Sequence, residues 1–172
     1  PRLAADTAAA GTWNVPTEVL IEQIIDATPA AELRLRPEMR YVSRSQLERW
    51  VEAKQAQLAE RDFDAETAAQ AIELRRRLIL ELHKAGAGLL LGSDAPQIFN
   101  VPGFSVHREL RALVAAGLSP YQALRTGTVA VAEFLGANTG IVAAVRDADL
   151  ILGRWLSSRE LAARLKKYEV AH

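Results

Sequence analysis

Gly88-Leu89-Leu90-Leu91-Gly92-Ser93-Asp94-Ala95-Pro96 is the stretch on which the fold turns. A continuous run of apolar and small residues, entered from a helix and a short turn, predicts a strand buried on both faces, as in a parallel sheet. Upstream, Asp64 begins a helix expected over Ala65 to Ala85, and Gly86 supplies its left-handed stop. Downstream, Ser105 is expected to cap a helix ending at Gly117. Ser119-Pro120 opens the next, which Thr126 to Thr128 interrupts before Val129 to Leu135, and Gly136 closes it. A second β-leaning run, Thr12-Trp13-Asn14-Val15, follows a helix-compatible segment from Ala4 to Gly11 and is closed by Pro16. Thr17 is expected to cap a helix over Glu18 to Ala27. Strand, helices, strand, helices is the order of βα units, so the expected class is α/β with helical crossovers.

Between the two runs, Thr28 to Ser43 reads as irregular with short helical turns. Ser45-Gln46-Leu47-Glu48 matches a capping box for a helix reaching about Glu60, with Leu47, Trp50, Val51 and Leu58 on its apolar side. Past Gly140 the chain changes to short Val- and Ile-rich segments. Ser157-Ser158-Arg159-Glu160 then repeats the capping-box pattern before a terminal helix.

The 172 residues carry 21 Lys plus Arg against 21 Asp plus Glu. That balance removes the positive field that nucleic acid or an anionic membrane surface rewards. Arg34, Arg36 and Arg40 with Tyr41 therefore read as a solvated face, and Arg75-Arg76-Arg77, wrapping most of a turn, as solvent-facing or paired with glutamates. No apolar run approaches the ~20 residues of a membrane span. The absence of cysteine excludes disulfides, thiolate zinc sites and a cysteine nucleophile. Ser93 has no nearby histidine and no Gly-x-Ser-x-Gly frame, so a serine nucleophile is not expected.

Working groups of βα proteins lie at the carboxyl ends of strands. Asp94 holds such a place. Its spacing leaves two readings open: a turn cap, or a carboxylate that ligates a divalent cation and accepts a proton from bound water. Of the three histidines, His83 falls in the last turn of a helix, His172 ends the chain, and His107 lies in the first turn after the Asp94 loop. Ala95 to Phe104 is expected to form a pocket wall, made apolar by Ile98, Phe99, Val101 and Phe104.

The run Leu89 to Ala95, then Val101-Pro102-Gly103 and His107-Arg108-Glu109-Leu110, resembles the amidohydrolase superfamily. The resemblance continues through Ala115-Ala116-Gly117-Leu118-Ser119-Pro120, Ala123-Leu124-Arg125-Thr126-Gly127-Thr128 and Ala132-Glu133-Phe134-Leu135-Gly136. Gly140 to Val142 with Ala148 to Leu152 looks like the family's return from barrel to small β-sandwich, and Ala10 to Thr17 like its seventh barrel strand. The branch it is most similar to holds imidazolonepropionase-like and dipeptidase-like hydrolases.

The resemblance implies a (β/α)8 TIM barrel with one or two divalent metals at its mouth, zinc by default, with iron, manganese or cobalt also suited. It implies hydrolysis of an amide, peptide or cyclic amide bond in a small-molecule or peptide-like substrate. Asp94 becomes the aspartate after strand eight, metal ligand and proton shuttle together; His107 is the candidate substrate contact.

The family's other ligands, a His-x-His pair after strand one, a bridging lysine or acid after strand four and histidines after strands five and six, have no counterparts here. Pro1, with no start methionine or signal-peptide pattern, reads as the inside of a longer chain. The chain is thus expected to be the C-terminal part of such an enzyme, about 100 residues short of the barrel. Residues 1–136 would be its last βα units, and residues 137–172 a shortened β-sandwich remnant with a C-terminal helix. Leu152 runs directly into Gly153-Arg154-Trp155, where the family has further strands. On this reading the remaining metal ligands come from a missing N-terminal segment of the same protein, a homo-oligomer is an expected state, and the chain alone is inactive. A partner-dependent fragment and a helical binding or scaffold module, with Asp94 a mere turn residue, stand as alternatives. Localisation stays open.

Overall fold

Trp13–Asn14 (β1) and Gly88–Leu89 (β2) pair in parallel, Trp13 opposite Gly88 and Asn14 opposite Leu89, in a computed structural model that describes residues 2–147. Ala87 and Leu89 turn one way, into a core with Ala4, Ile79, Leu82, Leu113 and Ala116. Gly88 turns the other way, beneath the Trp13 ring. A Cβ there would lie 2.4 Å from the ring, so only glycine lets the indole lie flat on the strand.

The regular strand is shorter than the apolar run that predicts it. Leu90 N–H still donates to the Asn14 carbonyl at 2.9 Å, but Leu91 N–H donates to the Thr126 carbonyl at 3.0 Å. The far edge of the run is therefore satisfied by a helix end rather than a strand. Among the described residues the sheet has these two strands, and 137–147 contain turns and bends without a strand. The β-sandwich segment from Ala148 and the terminal capping box lie outside the described residues.

Helices α1 (Arg2–Ala9), α2 (Glu18–Ile25), α3 (Ala30–Leu33), α4 (Arg44–Leu58) and α5 (Ala65–Lys84) surround or link the strands. A 3-10 turn, Pro37–Tyr41, precedes α4. Beyond β2 come α6 (Phe104–Ala115), α7 (Pro120–Thr126) and α8 (Val129–Leu135). No described helix is long and apolar enough to cross a membrane. A second core joins Ala30, Leu33, Met39 and Trp50 to Phe99 and Val101 from the loop after β2.

Local signals set several boundaries as expected. Asp64 accepts from the Glu66 and Thr67 amides, Ser119 and Gln122 form a capping box, and Gly86 and Gly136 take positive φ. Three caps differ. Ser43, not Ser45, starts α4 by accepting from Gln46 N–H, while Glu48 pairs with Arg44 instead. Ser105 lies inside α6, where Gly103 holds the cap position and the Ser105 hydroxyl bonds Ser93. Thr17 makes no side-chain cap because its backbone is left-handed, φ 46°.

Lys54 is one of three fully buried charged residues among those described, with Glu18 and Glu109. It sits on the inward stripe of α4, fully buried, and Nζ donates to the carbonyls of Gln23 (2.9 Å), Ile24 (3.1 Å) and Asp26 (2.6 Å) and to Asp26 Oδ1 (3.2 Å). These oxygens lie at the end of α2, where carbonyls lack helical partners and a positive charge complements the helix dipole. Lys54→Met keeps the stem and strands the acceptors, an expected loss of about 3 kcal/mol. Thermal unfolding should show the melting temperature falling by roughly 6–12 °C; a fall under ~2 °C would mean the ammonium is not needed there.

Candidate active site

Both strands end in loops whose backbone enters the left-handed region, at Thr17 after β1 (φ 46°) and at Asp94 after β2 (φ 49°). For a residue with a Cβ this conformation costs on the order of 1–2 kcal/mol, least for Asp and Asn, so the surroundings must impose it.

At Asp94 the constraint is visible. Phe99 and Asn100, fully buried, anchor the far side of the loop. Asn100 Nδ2 donates to the Ser93 carbonyl, Asn100 N–H to the Gln97 carbonyl at 2.7 Å, and Gln97 N–H back to the Asn100 carbonyl at 3.3 Å. Ser93 Oγ and Ser105 Oγ meet at 2.8 Å, tying the loop's start to α6. Out of this knot the Asp94 carboxylate projects into solvent, Oδ2 accepting from Gln97 Nε2 at 2.6 Å. One oxygen is held and the other, Oδ1, makes no protein hydrogen bond among the described residues. A carboxylate so oriented can take up a proton or fill one coordination position without rearranging.

The loop after β1 is fixed by a buried ionic network. Glu109, fully buried on α6, accepts from Glu18 N–H (3.0 Å, Oε1) and Val19 N–H (2.8 Å, Oε2). It thereby caps α2 in place of Thr17. Arg75 on α5 donates to Glu18 Oε2 at 2.9 Å and to the Pro16 carbonyl at 3.0 Å. Arg76 pairs with Glu22 at 2.6 Å, so two of the three consecutive arginines are paired with glutamates. Burial raises the pKa of Glu109 against the two amides that favour its anion, and raises that of Glu18 against the Arg75 guanidinium. Sequence reasoning missed Glu109. Its signal was a carboxylate standing in the inward stripe Ser105, Glu109, Ala112, Leu113 of an amphipathic helix.

His107 is exposed on α6 and has no hydrogen bond to the Asp94 loop among the described residues. His83 lies at the opposite end of the strands, lining a cavity of about 360 Å³ with Trp13, Arg125 and Glu133; the structure does not bring it toward Asp94. The expected pocket wall is largely core instead: Phe99 is sealed and Ile98 packs against the same cluster. Val101, with Pro96 and Pro102, does border a hollow of about 310 Å³ beside Tyr41 and Trp50. Among the described residues no three His, Cys, Asp or Glu side chains come together as a metal would require. One carboxylate does not make a metal centre. The described residues do not complete a divalent-metal site; Asp94 offers one ligand position.

The family model for the Amidohydrolase family matches residues 4–166. The chain belongs to the amidohydrolase family. No curated protein and no solved structure matches it. Members of the family are hydrolases that in general use divalent metals and act on small molecules. Within that frame, a parallel strand pair with helical crossovers and an aspartate at a strand's carboxyl end are where chemistry is expected.

Three outcomes test this geometry. Asp94→Asn, which tolerates the same φ and can still accept from Gln97, should leave the melting temperature within about 2 °C of wild type; a larger fall would show that the charge stabilises the loop. Glu109→Ala, stranding two amides, should cost about 2–3 kcal/mol. Because both glutamates bind protons more tightly folded than unfolded, their stabilisation is full below the ordinary value of 4.5 and is lost as pH rises through the raised value. Wild type should therefore lose stability relative to Glu109→Gln as pH rises above the ordinary value of 4.5 in thermal melts. The opposite trend would place the folded pKa below the unfolded one.

Proposed function

We propose that this chain is the C-terminal part of a metal-dependent amidohydrolase cleaving an amide, peptide or cyclic amide C–N bond. Residues 1–136 contribute the last βα units of a (β/α)8 barrel, and residues 137–172 a shortened β-sandwich remnant. The observation that carries the reading is Asp94: an exposed carboxylate beyond a parallel strand, held by one oxygen on Gln97 with the other open, in a chain of the amidohydrolase family. Zinc is the default divalent ion, with its remaining ligands expected from a further segment of the same protein or from another polypeptide. A bound metal would supply the polarised water.

What this chain's own residues do follows from their chemistry. As attack begins, Asp94 accepts a proton through its open oxygen, and it returns that proton to the leaving nitrogen. Gln97 keeps the carboxylate from rotating between those two events. The strained backbone at Asp94 is maintained by Asn100 and Phe99, so the proton acceptor is aimed before substrate arrives. His107, exposed in the first turn of α6, is assigned a substrate contact. Family membership and the strand-end position of Asp94 favour this reading over a helical scaffold in which Asp94 only turns the chain.

The test uses the native protein purified from its source. Stoichiometric divalent metal should be found by elemental analysis, and Asp94→Asn should lower kcat on the amide or dipeptide substrate it cleaves by about 10²–10⁴. Absence of bound divalent metal, together with an Asp94→Asn variant indistinguishable from wild type, would overturn the assignment.

A further inference from the structure

A separate hollow of about 280 Å³ lies between α2 and α6, and none of its lining residues belongs to the Asp94 loop. Four guanidinium groups border it: Arg36, Arg76, Arg108 and Arg111. Two have carboxylate partners, Arg76 on Glu22 and Arg108 on Glu38. Asp26, on the same rim, is engaged by Lys54 and by the Thr28 hydroxyl. Arg36 donates only to the neutral Gln23 carboxamide oxygen, and Arg111 forms no ion pair among the described residues. Gln23 is almost completely buried, and its Nε2 is a donor without an acceptor.

This is an arrangement in surplus of donors. A half-buried guanidinium with only a neutral partner bears a desolvation cost that an anion would offset. Burial, and then the neighbouring Arg108, depress the pKa of Arg36 although the carboxylates of Glu38, Asp26 and Glu32 pull the other way. Arg is also the side chain whose planar fork matches the oxygens of a carboxylate or phosphate, two at a time. The floor, Val19 and Ala112, offers apolar contact to a short hydrocarbon body. The volume suits a small molecule, at the low end of ligand pockets.

We propose that the α2–α6 hollow binds a small oxyanion, a phosphate or carboxylate group held by Arg36 and Arg111 with Arg108 behind them. The site is independent of the hydrolytic assignment, since it shares no residue with the Asp94 loop. Occupation would join the end of α2 to α6 and brace the same helix that Glu109 holds at its start.

Titration of the full chain with inorganic phosphate, with acetate, and with chloride at matched ionic strength, followed by Arg Nε–H chemical shifts and calorimetry, tests it. Saturable binding of phosphate or acetate but not chloride is expected, with the preferred anion identifying the ligand group. Arg111→Met, exposed and safe for folding, should weaken binding at least about tenfold, the worth of one charge-assisted contact, as should Arg36→Met. Asp94→Asn should leave it unchanged. Shifts that chloride reproduces, no saturation by tens of millimolar, or an Arg111→Met variant that binds as well as wild type would each overturn the site.

Discussion

The carboxylate of Glu109, buried on α6 and accepting the first two amides of α2, is the contact on which the arrangement of both strand-end loops depends. An eight-residue helix is too short to persist by its own hydrogen bonds. Its first amides need acceptors, and the local candidate, Thr17, has been turned away by a left-handed backbone. Glu109 supplies both oxygens from a residue 91 positions later. In doing so it joins the helix after β1 to the helix after β2. Since Ser105 on the same α6 holds Ser93, one helix sets the position of the loops leaving both strands.

At the other end of α2, Lys54 answers the opposite need. The helix is thus enclosed between a negative group at its amide end and a positive group at its carbonyl end, the polarity its dipole favours. Neither charge is in water, so each depends on its partners to offset the cost of desolvation. What the pair provides is selection among arrangements: sliding α2 by one residue would leave a buried carboxylate and a buried ammonium without partners, a penalty of several kcal/mol. Arg75 extends the same logic to the Pro16 carbonyl, and through it to the chain leaving β1.

This explains which parts of the fold were legible in the sequence. Asp64, Ser119-Pro120, Gly86 and Gly136 act within one turn of where they stand, and each was read correctly from its neighbours. Ser43 and Ser45 illustrate the limit of local reading, because Ser-x-x-Gln at 43–46 and Ser-x-x-Glu at 45–48 both fit a helix start. The Ser43 hydroxyl is the one that accepts from Gln46 N–H, a choice the linear pattern does not make. Glu109 and Lys54 were each visible as charges on apolar stripes, but their partners lie in other elements, and nothing in a linear pattern names them. The apolar run after Gly88 signalled a buried strand without saying how much of it would find a strand to pair with. For the site, the place of Asp94 at a strand end was legible. The buried Asn100 and the Gln97 contact that aim it were not, and Phe99 was assigned to a pocket it does not line.

The loop bearing Asp94 also shows why apolar residues were needed where a pocket wall was expected. A left-handed aspartate flanked by small residues would relax if the loop were free, since the conformation itself is unfavourable. Phe99 and Val101 are drawn into the core formed by Trp50, Leu33 and Met39, and burying a side chain of that size contributes roughly 1.5–3 kcal/mol. Together the two buried side chains offset the left-handed backbone at Asp94 and at Phe99 itself, φ 49°. The apolar character of the loop therefore serves to hold a polar group in an unfavourable but directed conformation. A residue sealed at Phe99 thus fixes where the Asp94 carboxylate, five positions earlier, can point, so packing remote from solvent determines the orientation of a polar group at the surface.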